Sequence, residues 1–431
     1  MRTVTVAVAG LGTVGREVCR LLRERRGALS RRLGAELVLV AVADRAAPAE
    51  ARALGLASSV TRYRDPSAMA RASRADVFVE VLGGLDAPRA FAKAVLGRGR
   101  ALVTANKRLL AEAWPEILGL AASSGARLAF EGSVAGGIPV LRALELSLAG
   151  DRVNGVDGIL NGTTNYILSR CEEGATPEAA LAEAQRLGFA EKDPSFDLSG
   201  RDAAQKLSVL AGQVTGGWLR MRDIPREGIE HIEARDTAFA RERLGRAVRL
   251  VASLRFDWSA SVTRVESGVF PTLLPLSHPL ASVRRQYNAL LVHTASAADL
   301  MFYGQGAGAG PTASAVLSDV FVLARDLRGG LPAALPVARP IRPAPAGETV
   351  SGFYLRLEAA DRPGVLARAT QALAAERVSI ASIHQERARG RSVPVMITTH
   401  PAPAGRFEKA RRRLLALPGI AKRHAVMRLL G

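Results

Sequence analysis

The densest run of groups able to do acid–base chemistry is Glu191-Lys192-Asp193-Pro194-Ser195-Phe196-Asp197-Leu198-Ser199-Gly200-Arg201-Asp202-Ala203-Ala204-Gln205-Lys206. Its first part reads as a turn-rich loop, and the loop runs into a helix. On that helix Asp202 and Lys206 are spaced i, i+4, so they share one face near the N-terminal turn. A carboxylate beside a lysine orients the ammonium and holds its charge, and a desolvated lysine exchanges a proton with a hydroxyl or carbonyl oxygen. Glu191, Asp197 and Asp202 are candidates to bind a substrate ammonium. On a solvated helix the same pair would be an ordinary ion pair worth about a few tenths of a kcal/mol. The run alone does not separate the two readings.

A second chemistry is carried by Gly10-Leu11-Gly12-Thr13-Val14-Gly15, which follows the apolar run Val4–Ala9 and opens a helical pattern through Val14, Val18, Leu21 and Leu22. Glycines let the backbone turn tightly and approach a pyrophosphate, while the helix N-terminus offers free N–H groups. Gly10, Gly12, Thr13, Val14 and Gly15 are therefore expected to hold a dinucleotide. The acid expected at the end of the second strand is Asp44. It lies further along than the usual ~20 residues because the polar stretch Arg23–Arg32 intervenes. Asp44 suits a ribose 2′-hydroxyl and hence NAD, adjacent Arg45 suits a 2′-phosphate and hence NADP, and the sequence leaves that choice open. Thr104-Ala105-Asn106-Lys107 follows another short β-run, placing Thr104 and Lys107 at the carboxyl edge of a sheet. Lys107 is one of only six lysines in a chain with 59 basic residues.

These groups need a scaffold. The runs Val4–Ala9, Leu37–Ala43, Asp76–Val81, Ala101–Thr104 and Arg127–Phe130 alternate with helical patterns and predict a doubly wound parallel sheet over residues 1–131. Residues 132–305 change to an α+β pattern, with strands near Asp157–Leu160, Ser261–Phe270 and Ala289–Ser296 and helices at Pro177–Leu187 and Ala203–Ala211. Residues 306–328 open on a glycine-rich turn and form an apolar helix returning to the first domain. Residues 329–349 are proline-rich and read as an extended linker that continues neither helix nor sheet. The remainder, 350–431, follows the order β-α-β-β-α-β of the ferredoxin-like unit, with strands at Gly352–Ala359, Ile380–Arg387, Val393–Thr399 and Ile420–Leu430. The fold class is α/β.

Composition excludes several functions. The chain has 431 residues, 48% of them hydrophobic, which rules out disorder. No apolar run approaches the ~20 residues of a membrane span, and Met1 leads into a β-run rather than a secretion signal, so a soluble cytoplasmic protein is expected. The net charge of +19 comes from arginines interleaved with acids along helix-like stretches, without an aromatic–basic platform, so nucleic acid is not an expected partner. Cys19 and Cys171 are too few for a disulfide framework and lack a flanking base, against an aldehyde-phosphorylating enzyme with a cysteine nucleophile. A non-catalytic amino-acid sensor would be expected to lose the acid/lysine cluster, which is present.

Taken together, the motifs resemble homoserine dehydrogenase over essentially the whole chain. The family signature is similar to Gly188-Phe189-Ala190-Glu191 through Asp193-Pro194, Asp197-Leu198, Gly200, Asp202-Ala203-Ala204 and Lys206-Leu207. Supporting stretches are Gly10–Gly15, Thr104–Lys107, Glu131–Pro139, Asn161–Leu168 and Gly306–Thr312. The resemblance implies an NAD(P)H-dependent interconversion of L-homoserine and L-aspartate 4-semialdehyde. It implies Lys206 as proton donor and acceptor with Asp202 beside it, Glu191 at the substrate amino group, Lys107 between cofactor and substrate, and Gly308 at the nicotinamide. It further implies a structural sodium ion held by the Glu131 carboxylate with the backbone oxygens of Val134, Gly136 and Ile138, and a homodimer. Where many members carry an arginine for cofactor choice this chain has Ala43, and Arg285 stands where glycine is usual, so a rearranged loop is expected there.

The C-terminal stretch resembles an ACT domain through Leu357-Glu358-Ala359-Ala360-Asp361-Arg362-Pro363-Gly364-Val365-Leu366. That resemblance implies an amino-acid effector at the turn of Asp361 and Gly364, with L-threonine expected from the pathway logic of the family. The linker predicts a module tethered to the enzyme rather than fused with it.

Overall fold

The computed structural model describes residues 3–331, 333, 335–336, 339–386 and 392–430. Six parallel strands form the first sheet, in the spatial order Thr61–Tyr63, Glu36–Ala43, Thr3–Ala9, Val77–Glu80, Ala101–Thr104 and Leu128–Ala129. The central strands are apolar and buried on both faces, as a sheet covered by crossover helices requires. Register aligns Ala9 with Ala43 and Glu80, and Glu80 with Thr104. The turns after these residues therefore gather at one carboxyl edge. The chain reverses its winding between Thr3–Ala9 and Val77–Glu80, and a ligand crevice opens at such a switch point. The strand Thr61–Tyr63 was not anticipated, since it has only three residues, two of them exposed.

A second sheet of eleven strands runs through the rest of the molecule. Its path is Asp299–Gln305, Tyr287–Thr294, Val153–Ile159, Arg246–Asp257, Thr263–Pro275, Ile420–Leu429, Val350–Ala360, Ser392–Thr399 and Ile380–Gln385. Helices Gly162–Glu172, Arg201–Thr215 and Ala234–Leu244 pack on the face bearing Val248, Leu250, Ala252 and Leu254. The helix Ala309–Gly329 lies against the first helix, Thr13–Leu33, and shares its core through Val316, Val320 and Leu323. The C-terminal order matches the expected β-α-β-β-α-β, with helices Val365–Ala375 and Ala404–Leu415. Of the expected strand Ile380–Arg387, Arg387 lies outside the described residues, as do Pro332 of the linker and Gly431.

Two expectations are corrected. Linker residues Ile341–Pro343 do form a strand, pairing in parallel with Thr263–Val265 at the sheet margin. Proline is tolerated there because only one edge of the strand is paired. The C-terminal module is also not merely tethered. Arg428 and Leu429 pair with Thr272 and Leu273, so one sheet crosses the boundary. A buried charge cluster fastens the seam. Arg356, 0% exposed, donates Nε to Asp236 at 2.8 Å and places Nη2 2.9 Å from Glu233, while Tyr354 donates its hydroxyl to Asp236 at 2.7 Å.

Candidate active site

The glycine turn is built by close approach. Gly10 has φ +97°, and a Cβ there would lie 2.5 Å from the Val81 carbonyl oxygen; one on Gly15 would strike the Gly10 oxygen at 1.8 Å. Gly12, in contrast, faces open space. It caps Thr13–Leu33 without any side-chain bond, leaving the first N–H groups for an anion. The Asp44 carboxylate accepts the Leu11 N–H at 2.9 Å and the Ala46 N–H at 3.0 Å, so it braces this turn. Arg45 is exposed and has no ion pair among the described residues.

Thr104 is placed differently from the expectation of a cofactor contact. It is fully buried and donates its hydroxyl to Glu80 at 2.5 Å, behind the cleft wall. Burial pushes the Glu80 carboxyl up, opposed by bonds from Thr104, Leu82 and Asn106. Asn106 caps the helix Lys107–Ser124 by accepting the Leu109 N–H at 3.0 Å and ties back to the Gly84 oxygen at 2.9 Å. Lys107 thereby starts its helix at the cleft.

Across the cleft, Lys107 Nζ lies 3.2 Å from Asp202 Oδ1, and Lys206 Nζ lies 2.8 Å from Asp202 Oδ2. Lys206 also donates to the Leu160 carbonyl. Two of its three donor directions are thus taken, and the residue, 7% exposed, still lines the cleft. Burial alone would raise the Asp202 pKa, but Lys206, Lys107 and the Asn161 amide hold it well below the usual carboxylate range. Asn161 was not assigned a role from sequence. Its Nδ2 donates at 2.8 Å to both Asp202 and Asp197, and its Oδ1 caps the helix Gly162–Glu172. Asp197 also lies 3.1 Å from the Thr163 hydroxyl, and burial with the neighbouring Asp202 raises its pKa. Glu191 is exposed at the lip, beside Gly188 and Phe189.

All of these groups face one cleft of about 1060 Å³, whose far wall is Gln305–Gly308. Gly308, at φ +117°, caps the helix Ala309–Gly329. Behind the wall, Ala135 and Gly136 are both left-handed, at φ 53° and 54°. The buried carbonyls of Val134 and Gly136 have no hydrogen-bond donor among the described residues, while the Ile138 oxygen accepts Val140 N–H at 2.8 Å. The Glu131 carboxylate, expected to join them around an ion, is engaged instead by the N–H groups of Leu141 at 2.9 Å and Arg142 at 2.7 Å. Burial and Asp319 raise the Glu131 pKa to about 7. Arg285 takes φ 59°, the left-handed conformation that glycine favours. Asp361 and Gly364 lie on an exposed turn outside the cleft, with Gly364 at φ 83° capping Val365–Ala375.

Known proteins share this arrangement. The NAD-binding pattern of homoserine dehydrogenase matches residues 10–131, the homoserine dehydrogenase pattern residues 139–321, and the ACT pattern residues 353–419. The homoserine dehydrogenase of Corynebacterium glutamicum is 38% identical, covering 99% of this chain and 95% of its own. That of Mycobacterium tuberculosis is 41% identical over 89% and 87%. A crystal structure of a homoserine dehydrogenase from Thiobacillus denitrificans superposes with a TM-score of 0.89 at 34% identity, covering 100% of this chain and 99% of that one. A hyperthermophilic archaeal homoserine dehydrogenase in complex with NADPH gives 0.64 at 27% identity, over 77% of this chain and 99% of its own. The chain therefore belongs to the homoserine dehydrogenase family, NAD(P)-dependent oxidoreductases, and carries a C-terminal ACT domain.

Proposed function

We propose that Lys206 is the proton donor and acceptor in the interconversion of L-homoserine and L-aspartate 4-semialdehyde. The observation that carries this is its buried ammonium, 2.8 Å from Asp202, on the wall of a cleft that Val14 of the glycine motif also lines. Nicotinamide, when bound, supplies or takes up the hydride at C4. In the remaining direction the Lys206 ammonium gives its proton to the nascent alkoxide; in the reverse reaction the neutral amine takes the alcohol proton through its lone pair. Asp202 stays ionised and keeps the ammonium aimed, and Lys107 adds a second positive charge beside the reacting oxygen. Glu191 and Asp197 receive the substrate ammonium. Loss of Lys206 is expected to lower kcat by about 10²–10⁴-fold, measured as NAD(P)-dependent oxidation of homoserine; turnover close to wild type would remove the role.

The fit for a sodium ion rests on the buried carbonyls of Val134 and Gly136, with the Ile138 oxygen beside them, since a hard cation prefers oxygen donors. Glu131 would serve through its backbone oxygen, because its carboxylate is engaged. The module supports regulation by L-threonine at Asp361 and Gly364. Asp361→Ala is expected to raise the half-inhibitory threonine concentration at least about tenfold, and an unchanged value would refute it. A homodimer is supported by the edge strand Asp299–Gln305, where Met301 and Tyr303 stand exposed; an active monomer in sedimentation would contradict it. The biosynthetic role and two buried thiols favour the cytoplasm.

A further inference from the structure

We propose that the seam between the ACT module and the catalytic sheet holds a site for a small phosphate-bearing molecule, seated against the guanidinium of Arg428. A pocket of about 440 Å³ opens where the segment after Ile224, the strand Thr263–Pro275, the linker at Gly347 and the helix Ala404–Leu415 meet. It is distinct from the catalytic cleft and from the turn of Asp361 and Gly364, neither of which lines it.

Its charge is unbalanced. Arg226, Lys409, Arg411, Arg412 and Arg428 line it against only Glu227 and Glu408, five cations to two carboxylates. Both carboxylates are already claimed by Arg411, at 3.2 and 2.9 Å. The other four cations have no side-chain carboxylate within ion-pair distance among the described residues, which include every Asp and Glu of the chain. Elsewhere the arginines nearest to burial are matched by acids, as Arg249 is by Glu172 and Arg356 by Asp236.

Arg428 is the informative member. Its guanidinium stacks 3.6 Å from the centroid of the Phe270 ring, half-buried. Burial pushes its pKa down to about 10, against the opposing pull of Glu266, Glu227 and Glu408. Stacking fixes the plane of the fork, and a planar fork suits two oxygens of a phosphate. A single carboxylate would neutralise only one of the three excess charges, whereas a phosphate ester brings ≈ −1.5 to −2. Pro225, partly exposed on the wall, offers an apolar surface to the organic body of the ligand.

The test is calorimetric titration of phenyl phosphate into the full chain saturated with NADPH, so that the phosphate positions of the dinucleotide site are filled, at constant ionic strength. One site per chain with a sub-millimolar Kd is expected. Arg428→Leu should weaken it at least about tenfold, and so should the exposed pair Lys409→Glu with Arg412→Glu, which keeps the proposal testable if the first variant folds poorly. Benzoate, with the same ring and one carboxylate, should bind at least about tenfold more weakly. Absence of binding, an unchanged Kd in the surface variant, or benzoate binding as tightly would each overturn the proposal. Heat rather than turnover is read, so the outcome is independent of the role of Lys206.

Discussion

Two buried charge clusters in this molecule turn an aspartate–cation pair to opposite ends. At the seam, Arg356 meets Asp236 and Glu233, and Asp236 also accepts the Tyr354 hydroxyl, with Arg356 and Asp236 both 0% exposed. At the cleft, Asp202 is clamped by Lys206, Lys107 and Asn161, but Lys206 keeps a donor direction facing open space. The closed cluster joins two modules into one sheet. The open one leaves an aimed proton where a substrate can reach it. A buried ion pair is therefore not by itself a functional signal, nor is an unbonded donor: Arg356 Nη1 also lacks a hydrogen-bond partner but is buried in the seam, 3.5 Å from Glu358, whereas the free direction of Lys206 faces a cleft.

The largest effect expected from breaking this comparison is on the closed side. Arg356→Met leaves Asp236 buried without its cation, and removal of one partner costs about 3–5 kcal/mol. Urea unfolding should show that loss while the folded fraction keeps its homoserine KM. A loss below about 1 kcal/mol would mean that the seam is held by strand pairing alone. On the open side, Asp202→Asn removes the charge that aims Lys206. It should lower kcat by about 10²–10³-fold, or about 3–4 kcal/mol of barrier, with little change in unfolding midpoint. A large stability loss with normal kcat would exchange the roles of the two clusters.

A third pair sharpens the distinction through pH. Glu131 and Asp319 have folded pKa values raised to about 7 and about 6, burial being the main cause for both. The folded state thus holds protons that the unfolded chain releases near pH 4–4.5. Their contribution to stability is full below that range and is lost as pH rises through 6 and 7. Unfolding free energy should fall by about 1–3 kcal/mol across this window, and Glu131→Gln should flatten the fall. A rise instead would show both carboxylates stabilised as anions.

What could be read from the sequence follows the range of the interaction. The first sheet was legible because apolar runs, glycines and crossover helices are local patterns, and Asp202 with Lys206 because i, i+4 spacing is local too. The strand Arg246–Asp257 was not, since its arginines mask the alternation. Arg249 is buried because Glu172, far back in the chain, meets it at 2.6 Å and the Val283 and Ala281 carbonyls, further on, accept its other donors. The fusion of the modules rests on Arg428 opposite Thr272, a pairing that no local signal announces. For Thr104 and Glu131 the residue stands out in the sequence but its hydrogen-bond partner does not. Which way a side chain turns depends on a partner such as Glu80 or the Leu141 N–H.

The smallest expected effect concerns Arg285, left-handed at φ 59°, whose guanidinium pairs with exposed Glu173 and lies over the Tyr166 ring. Arg285→Gly relieves backbone strain of about 1 kcal/mol. It should raise the unfolding midpoint slightly and leave kcat alone. Destabilisation would show that the ion pair outweighs the strain.

The most direct test of the open cluster is the pH dependence of kcat for homoserine oxidation in Lys206→Ala, beside the parent and Lys206→Arg. Turnover is predicted to fall about 10²–10⁴-fold in the alanine variant, with the ionisation that shapes the parent profile gone and homoserine KM little changed. Turnover near that of the parent with an unaltered profile would contradict the assignment of the proton to Lys206.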